Sequence, residues 1–157
     1  MPFLQNLRFS ELSALSDDQL SQLADLHRQC FEDAWSAKSI RDMISGQGAF
    51  GQAAFLESDL AGFSIFLPCV DQCELVTICT SPERRSSGLG RKLVDAGLSL
   101  AAKTGFTDCL LEVASDNAPA RHLYESAGFT EDGTRKAYYL RKNGPPMDAV
   151  LMSKPTK

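Results

Sequence analysis

ELVTICTSPERRSSGLGRKL, running from Glu74 to Leu93, decides how this chain folds. Its first part is apolar and rich in β-branched residues (Val76, Thr77, Ile78, Thr80), the composition of a buried strand. Ser81-Pro82 ends that run, because proline has no N–H to offer a sheet. A loop with Arg84, Arg85, Ser86 and Ser87 follows. At about Gly88 a helix begins, with Leu89, Leu93, Ala96, Gly97 and Leu100 as its apolar stripe and Gly105 suited to its C-terminal cap. Glycines at a helix start let the backbone approach a ligand closely. The unpaired N–H groups and the dipole of the first turn then favour phosphate. A P-loop needs GxxxxGK[ST], which is absent. A dinucleotide fingerprint needs GxGxxG, but Gly88-Leu89-Gly90 is followed by Arg91-Lys92-Leu93. The pattern present is [QR]xxGxG, from Arg85 to Gly90. Taken alone it reads either as a solvated turn or as an anion cradle.

Upstream, residues 49–80 hold three strand-like runs, AFGQAAFLE, LAGFSIFLPC and CELVTICT. Ser58-Asp59 and Asp71-Gln72 separate them, polar breaks suited to hairpins. Before these, Ser16-Asp17-Asp18-Gln19 reads as a capping box. Leu20, Leu23, Ala24, His27, Cys30 and Phe31 mark the apolar face of the helix it opens. Ser36 caps a second, shorter helix to about Ser45, stopped by Gly46 and Gly48. Downstream, TDCLLEV is a buried strand, and Asn117 and Pro119 start a helix carrying Leu123 and Tyr124 that ends at Gly128. Two last strands near 129–140 and 147–152 flank a Gly-Pro-Pro loop. The order is strand, two helices, three antiparallel strands, helix, strand, helix, hairpin. A helix between the fourth and fifth strands permits one parallel crossover inside a mixed sheet, and such junctions are where α/β sheets bind ligands. Without repeats, low-complexity tracts or linker-like shifts, residues 1–157 read as one α/β domain.

Hydrophobic content of 43% and charged content of 23% are those of a soluble globular protein. A formal charge of -4 and a pI near 5.1 argue against nucleic-acid binding. Residues 1–60 carry nine acids against four bases. That is either a solvated helix face or an attraction for a cationic acceptor. The N-terminus lacks a basic region followed by an unbroken apolar core, so no secretory leader is expected, and no run reaches a membrane span. The five cysteines fit no CxxC or Cys/His zinc spacing. Reduced, structural thiols in a cytoplasm, with no metal site, are the expectation.

The Arg85–Gly90 pattern resembles the acetyl-CoA-binding motif of the GNAT-type N-acetyltransferases. Four further segments are similar to one branch of that family, the bacterial ribosomal-protein-alanine N-acetyltransferases: HRQCFEDAWS, ELVTICTSPERR, LEVASDNAPARHLYESAGF and YYLRKNGPPMDAVLM. They span nearly the whole chain in the expected order. The resemblance implies a mixed, mostly antiparallel sheet of about seven strands with four helices and a splayed parallel pair at the CoA site. It implies acetyl-CoA as cosubstrate, with the backbone around Ile78, Cys79 and Thr80 along the acetyl-pantetheine arm. By the same resemblance Arg85, Ser86, Ser87, Gly88, Leu89, Gly90 and Arg91 hold the pyrophosphate, and Asn117 meets CoA near its thiol end. Two departures stand out. Ala114 follows LEV where the family often has arginine, and Ser86 and Ser87 replace basic residues before the first glycine.

Acetyl transfer from a thioester to an amine needs a neutral amine, a polarised carbonyl and a proton for the leaving thiolate. An N-terminal amine has a reference pKa near 7.7–8.0 against about 10.4 for lysine, so freeing it at pH 7 costs only about 1 kcal/mol. A single carboxylate base suffices for that. Backbone N–H groups beside the splayed strand stabilise the oxyanion. Glu112 sits inside an apolar strand, where a lone acid is costly unless paired or useful; the family pattern makes it the base and Tyr124 the acid. Without the family pattern, Glu112 reads as a sheet-edge residue and Tyr124 as core packing. The aromatic alternation at Tyr138 and Tyr139 suggests core, and the resemblance makes Tyr138 a wall of the acceptor groove. Trp35 is the other acceptor-side candidate, though on its own it reads as a packing anchor. His27 reads as a packed histidine and His122 as an exposed one. Direct attack is expected rather than an acetyl-cysteine intermediate, since no cysteine has a paired histidine close by in sequence. The expected acceptor is a protein N-terminus, favouring ribosomal-protein alanine, with no membrane or nucleic-acid partner and a monomer or weak dimer. A small amine, a lysine side chain, or a silent acyl-CoA-binding module are the alternatives.

Overall fold

The computed structural model describes residues 5–157, which form one seven-stranded sheet in the order β1-β2-β3-β4-β5-β7-β6. The strands are β1 (Leu7–Glu11), β2 (Gln52–Leu56), β3 (Asp59–Cys69), β4 (Gln72–Thr80), β5 (Asp108–Ala114), β6 (Thr130–Tyr139) and β7 (Met147–Pro155). The helices are α1 (Asp17–Cys30), α2 (Ala37–Gly46), α3 (Leu89–Thr104) and α4 (Ala118–Ser126). Helix boundaries follow the caps that the sequence announces. Ser16 Oγ accepts from the Gln19 amide while Gln19 Oε1 accepts from the Ser16 amide, completing the capping box. Ser36 Oγ accepts from the Ser39 amide at the start of α2. Gly88 and Gly105 bracket α3, both left-handed, at φ +89° and +102°.

Helices α1 and α2 cover one face of the sheet, burying Leu20, Leu23 and Ile40 against Phe63 and Ile65. Helices α3 and α4 cover the other, burying Val94, Leu98 and Ala101 with Phe66, Leu111 and Met152. The buried stripe of α3 is therefore wider than the leucine spacing suggests, and Leu100 lies only half-buried at its margin. Every neighbouring strand pair is antiparallel except β4 and β5. That exception positions the site. Only Cys73–Cys109 and Glu74–Leu110 pair across it. Beyond them the strands part, while β4 stays paired to β3 through Thr80 and β5 to β7 through Ala114.

The splay coincides with a bulge. The β3–β4 register steps from Phe66↔Leu75 to Ile65↔Thr77, so Val76 is an extra residue on β4. Leu75 therefore belongs to the α3–α4 core, whereas Cys79 belongs to the α1–α2 core, although an unbroken strand would put both on one face.

Three sequence expectations need correction. Strand β2 begins at Gln52 rather than Ala49, because Gly51 adopts φ +143° and a Cβ there would lie 2.3 Å from the Ser64 carbonyl oxygen. Strand β7 runs on to Pro155, beyond residue 152. Strand β6 is an edge strand of exposed residues, so the aromatic pair at its end is not core: Tyr138 is exposed and Tyr139 half-buried.

Candidate active site

Between β4 and α3 the chain makes two left-handed turns, at Ser86 (φ +62°) and Gly88 (φ +89°). The glycines serve different ends. A Cβ at Gly88 would meet nothing within 4 Å, so its backbone angle is the reason for glycine. At Gly90 a Cβ would sit 3.2 Å from Leu123 Cδ2, so this glycine lets α3 pack on α4. The Leu89 amide donates to Ser87 Oγ, and the first backbone bond of the helix runs from Lys92 N–H to the Gly88 carbonyl. The amides of Gly88, Gly90 and Arg91 donate to no protein acceptor among the described residues. They fit an anion seated on the helix start, as the sequence reading requires.

The arginines of the loop are otherwise engaged. Arg91 grips Asp95 through Nε at 3.1 Å and donates from Nη1 to the Ser126 carbonyl at 2.7 Å, tying α3 to the end of α4. Arg84 donates to Ser81 Oγ at 3.0 Å, and Arg85 Nη2 reaches Cys30 Sγ at 3.7 Å. Backbone amides, not guanidinium groups, are thus the free donors at the turn.

Glu112 lies on β5 at the open side of the splay, its side chain 21% exposed. Its β5 neighbours Leu111 and Val113 are buried in the α3–α4 core, so Glu112 points to the opposite face. Three groups that sequence reasoning missed surround it. Arg135 Nη2 lies 3.5 Å from Glu112 Oε1. Glu74 and Tyr139 stand close enough for their charges to act on it. Burial first, and then the neighbouring Glu112 carboxylate, push the Glu74 carboxyl above the usual range, while Arg135 pulls the other way. Burial pushes the Tyr139 phenol up to about 12, with Glu112 as the next cause. The signal for Arg135 was legible only across strands. It registers with Ala149 on β7, and Ala149 registers with Ala114 on β5. Two alanines side by side leave the guanidinium a clear path to the carboxylate. Tyr138 sits on the irregular stretch between Arg135 and Tyr139, with Arg135 stacked on its ring at 5.2 Å.

Tyr124 rises from α4 on the other face. Its ring packs edge-on against Phe129 with centroids 6.0 Å apart, and the residue is only 8% exposed. Its hydroxyl makes no hydrogen bond within the described chain, yet it is not among the fully enclosed unpaired polar atoms. The phenol tip therefore meets solvent where the ring does not. Burial, and then the nearby Tyr139, Cys79 and Cys109, push its pKa up, so it stays protonated at neutral pH. Asn117, before α4, gives Oδ1 to the Ala120 amide at 3.3 Å as the helix cap. The structure thus brings Glu112 and Tyr138 together through Arg135 and leaves the Tyr124 hydroxyl without a hydrogen-bond partner among the described residues.

Trp35 is not gathered there. Its ring stacks on His27 at 4.7 Å, with Phe31 on His27 at 4.6 Å, and its amide donates to His27 Nδ1 at 3.0 Å. This fixes the His27 tautomer: Nε2 carries the proton and faces Thr77 Oγ1 at 3.4 Å. Thr77 Oγ1 in turn lies 4.0 Å from Cys79 Sγ. The structure therefore links a histidine to a cysteine through a threonine, a link that sequence proximity did not show. Among the described residues no group of three or more His, Cys, Asp or Glu gathers to hold a metal, and no helix is long and apolar enough to cross a membrane.

Residues 20–129 match the Acetyltransferase (GNAT) family. The [ribosomal protein bS18]-alanine N-acetyltransferase of Salmonella typhimurium is 31% identical over 146 residues, covering 92% of this chain and 96% of its own. The crystal structure of the Escherichia coli ribosomal-protein-S18-alanine N-acetyltransferase superposes with a TM-score of 0.84 at 27% identity, covering 96% of this chain and 94% of that one. A spermidine N-acetyltransferase chimera from Vibrio cholerae shares the fold, with a TM-score of 0.81 at 21% identity over 97% and 96% of the two chains.

Proposed function

This chain belongs to the GNAT acetyltransferase family, whose cosubstrate is acetyl-CoA, and from that premise we propose that it acetylates the N-terminal amine of a protein, the alanine of a ribosomal protein above all. One observation carries the chemistry. The sheet opens where β4 leaves β5, and Glu112 stands on β5 beyond their last pairing while the phenol of Tyr124 is left unbonded. The free edge of β4 at Ile78, Cys79 and Thr80 offers backbone groups to the pantetheine arm. The amides at Gly88, Gly90 and Arg91 receive the pyrophosphate, and the Asn117 side-chain amide stands near the thiol end.

In the reaction Glu112 takes the proton of the incoming ammonium, directly or through water, and the neutral amine attacks the thioester carbonyl. Backbone N–H groups of the splayed β4 stabilise the oxyanion. Collapse of the tetrahedral intermediate breaks the C–S bond, Tyr124 gives its proton to the departing sulfur, and the proton shed by the acetylated nitrogen restores the phenol. Arg135, 3.5 Å from Glu112 Oε1, orients the carboxylate from the β6 side. Tyr138 lines the acceptor side, and Trp35 acts on it only by bracing His27 and the α1–α2 connection.

The acceptor rests on the alanine N-acetyltransferases of matching length and on the low cost of freeing an α-amine. A spermidine enzyme on the same fold makes a small amine the second reading. The test measures CoA release with acetyl-CoA and four acceptors: an Ala-starting peptide, a Met-starting peptide, an N-terminally blocked lysine peptide, and spermidine. Turnover on the Ala-starting peptide well above the others is expected. Turnover on spermidine alone would overturn the N-terminal reading.

A further inference from the structure

Between β6 and β7 the chain runs through residues 140–146, all of them exposed. Among the described residues, the backbone of this loop makes no hydrogen bond to any other part of the molecule. What ties it down is one ion pair. Arg141 Nη1 donates to Asp116 Oδ2 and Arg141 Nη2 to Asp116 Oδ1, both at 2.7 Å. Two parallel N–H···O bonds fix an angle as well as a distance, which a single contact does not. The hydrogen bond from Arg141 holds the Asp116 carboxyl below the usual range, so the pair is fully charged at neutral pH.

The two ends of this pair differ in firmness. Asp116 sits on the turn between β5 and α4, and that turn is bonded from several sides. Ser115 N–H donates to the Asp148 carbonyl at 2.9 Å, and Ser115 Oγ to Met147 Sδ at 3.1 Å. Arg121 Nη1 donates to the Ser115 carbonyl at 3.0 Å, and its Nη2 pairs with Glu131 on β6. Asn117 N–H closes the turn on the Ala114 carbonyl at 2.9 Å. The Arg141 end has no such support. Just before it, the β6–β7 register steps from Arg135↔Ala149 to Tyr139↔Met147, four residues against two, so the stretch carrying Tyr138 bulges out of the ladder. Within the bulge Ala137 takes φ +52° and donates its N–H to Asp148 Oδ1 at 2.7 Å. Tyr138 is thus held between two aspartates, Asp148 on one side and Asp116 on the other.

We propose that the Arg141–Asp116 pair is a strap that fixes the posture of the β6–β7 loop and of Tyr138, which makes Arg141 and Asp116 positioning residues for the acceptor. This role rests on Tyr138 lining the acceptor side, as proposed above. An acceptor has to be held while its amine meets the thioester, and a mobile wall loses part of the binding free energy to its own ordering. The strap does that ordering before the acceptor arrives. It acts from the turn that precedes α4, the helix of Tyr124, so the acceptor wall and the general acid are referenced to one rigid segment. Neither Arg141 nor Asp116 touches the reacting atoms. Loosening the strap therefore weakens acceptor binding and leaves the chemical step of the bound complex as it was.

The test uses the full chain and begins with amide relaxation by NMR, which needs no acceptor. Order parameters of residues 140–144 should lie near the rigid value of about 0.85 in the wild type and fall toward about 0.6 in Arg141→Gln and in Asp116→Asn. Steady-state kinetics on whichever of the four acceptors turns over should show the acceptor KM raised about two- to fivefold in both variants, the size expected of an exposed ion pair. Their kcat and their affinity for CoA should be unchanged. Arg141→Lys, which keeps the charge but not the two-point contact, should recover only part of the loss. Arg141→Asp combined with Asp116→Arg should restore both the order parameters and KM, whereas Arg141→Asp alone should be worse than Arg141→Gln. No turnover on any acceptor would sink the acetylation reading itself, and the order parameters would still decide the strap. A loop equally ordered in the two variants, an unchanged acceptor KM despite a loosened loop, a loss in kcat rather than KM, or a swap that restores nothing would each overturn the proposal.

Discussion

Replacing Tyr124 by phenylalanine separates chemistry from packing more cleanly than any other change in this molecule. The ring stays: its burial, 8% exposed, and its edge-on contact with Phe129 are kept. Only the hydroxyl is lost, and that hydroxyl has no hydrogen-bond partner among the described residues. With no bond to break and no cavity to open, stability should change by no more than about 0.5 kcal/mol. For a chain of 157 residues that is roughly 1–2 °C in Tm. Turnover should fall far more. A positioned general acid contributes about 10²–10⁴-fold, or roughly 3–5 kcal/mol of activation free energy. The assay pairs a thermal melt with CoA release under saturating acetyl-CoA and Ala-starting peptide, and calorimetry checks that CoA affinity is unchanged. Unaltered kcat would remove Tyr124 from the reaction. A drop in kcat accompanied by a Tm loss of many degrees would mean that the hydroxyl has a structural role.

Three further changes probe other parts of the design. Glu112→Gln should lower kcat at pH 7 by about 10²-fold or more, with the gap closing toward pH 9, where an N-terminal amine is already neutral; a deficit that stays constant from pH 6.5 to 9 would rule out the base role. Gly97→Ala should destabilise, because its Cβ would lie 2.0 Å from Phe66 Cε2 inside a closed core. Overpacking costs about 1–3 kcal/mol, a better helix former returns up to about 1, and a melt showing net stabilisation would refute the packing account. His27 has its pKa lowered by burial, so the unfolded chain binds its proton more tightly than the folded one. Its contribution is present above the unfolded value of about 6.5 and lost as pH falls through the folded value. Urea melts of the wild type at pH 7.5 and pH 5 should therefore differ by more than those of His27→Gln, and equal acid losses would contradict this.

The elements were legible in the sequence wherever a local device declared them. Ser16, Ser36, Gly88 and Gly105 each fix a helix end by their own chemistry, and each stands at the end it announces. The loop was legible too, because the glycine pattern and its position after a strand are local facts. What escaped was whatever depends on register. The Val76 bulge exists only relative to β3. The Gly51 bend answers to the Ser64 carbonyl, from another strand. The edge position of β6 is a property of sheet order, so aromatic alternation misled at Tyr138. The basic residues of the loop promised a positive cradle. Their actual partners, Asp95, Ser126, Ser81 and Cys30, lie at distances that no motif encodes.

Arg135 shows how such a non-local feature bears on function. The family often has an arginine immediately after LEV, and this chain has Ala114 there. The sequence presents this as a loss. In the sheet the row through Ala114 continues through Ala149 to Arg135, so a guanidinium stands in the same row two strands away. From there it reaches Glu112 at 3.5 Å. The two alanines between leave the guanidinium its path to the carboxylate. Arg135 also bears on how Glu74 and Glu112 share one wall. Two carboxylates close together with no cation would raise each other's pKa, and Arg135 opposes that rise at Glu74. Because β6 is an exposed edge strand, this arginine is open to solvent, whereas an arginine at position 114 would stand inside the sheet. The acceptor side proposed for this protein is therefore built from the last hairpin as well as from the LEV strand itself.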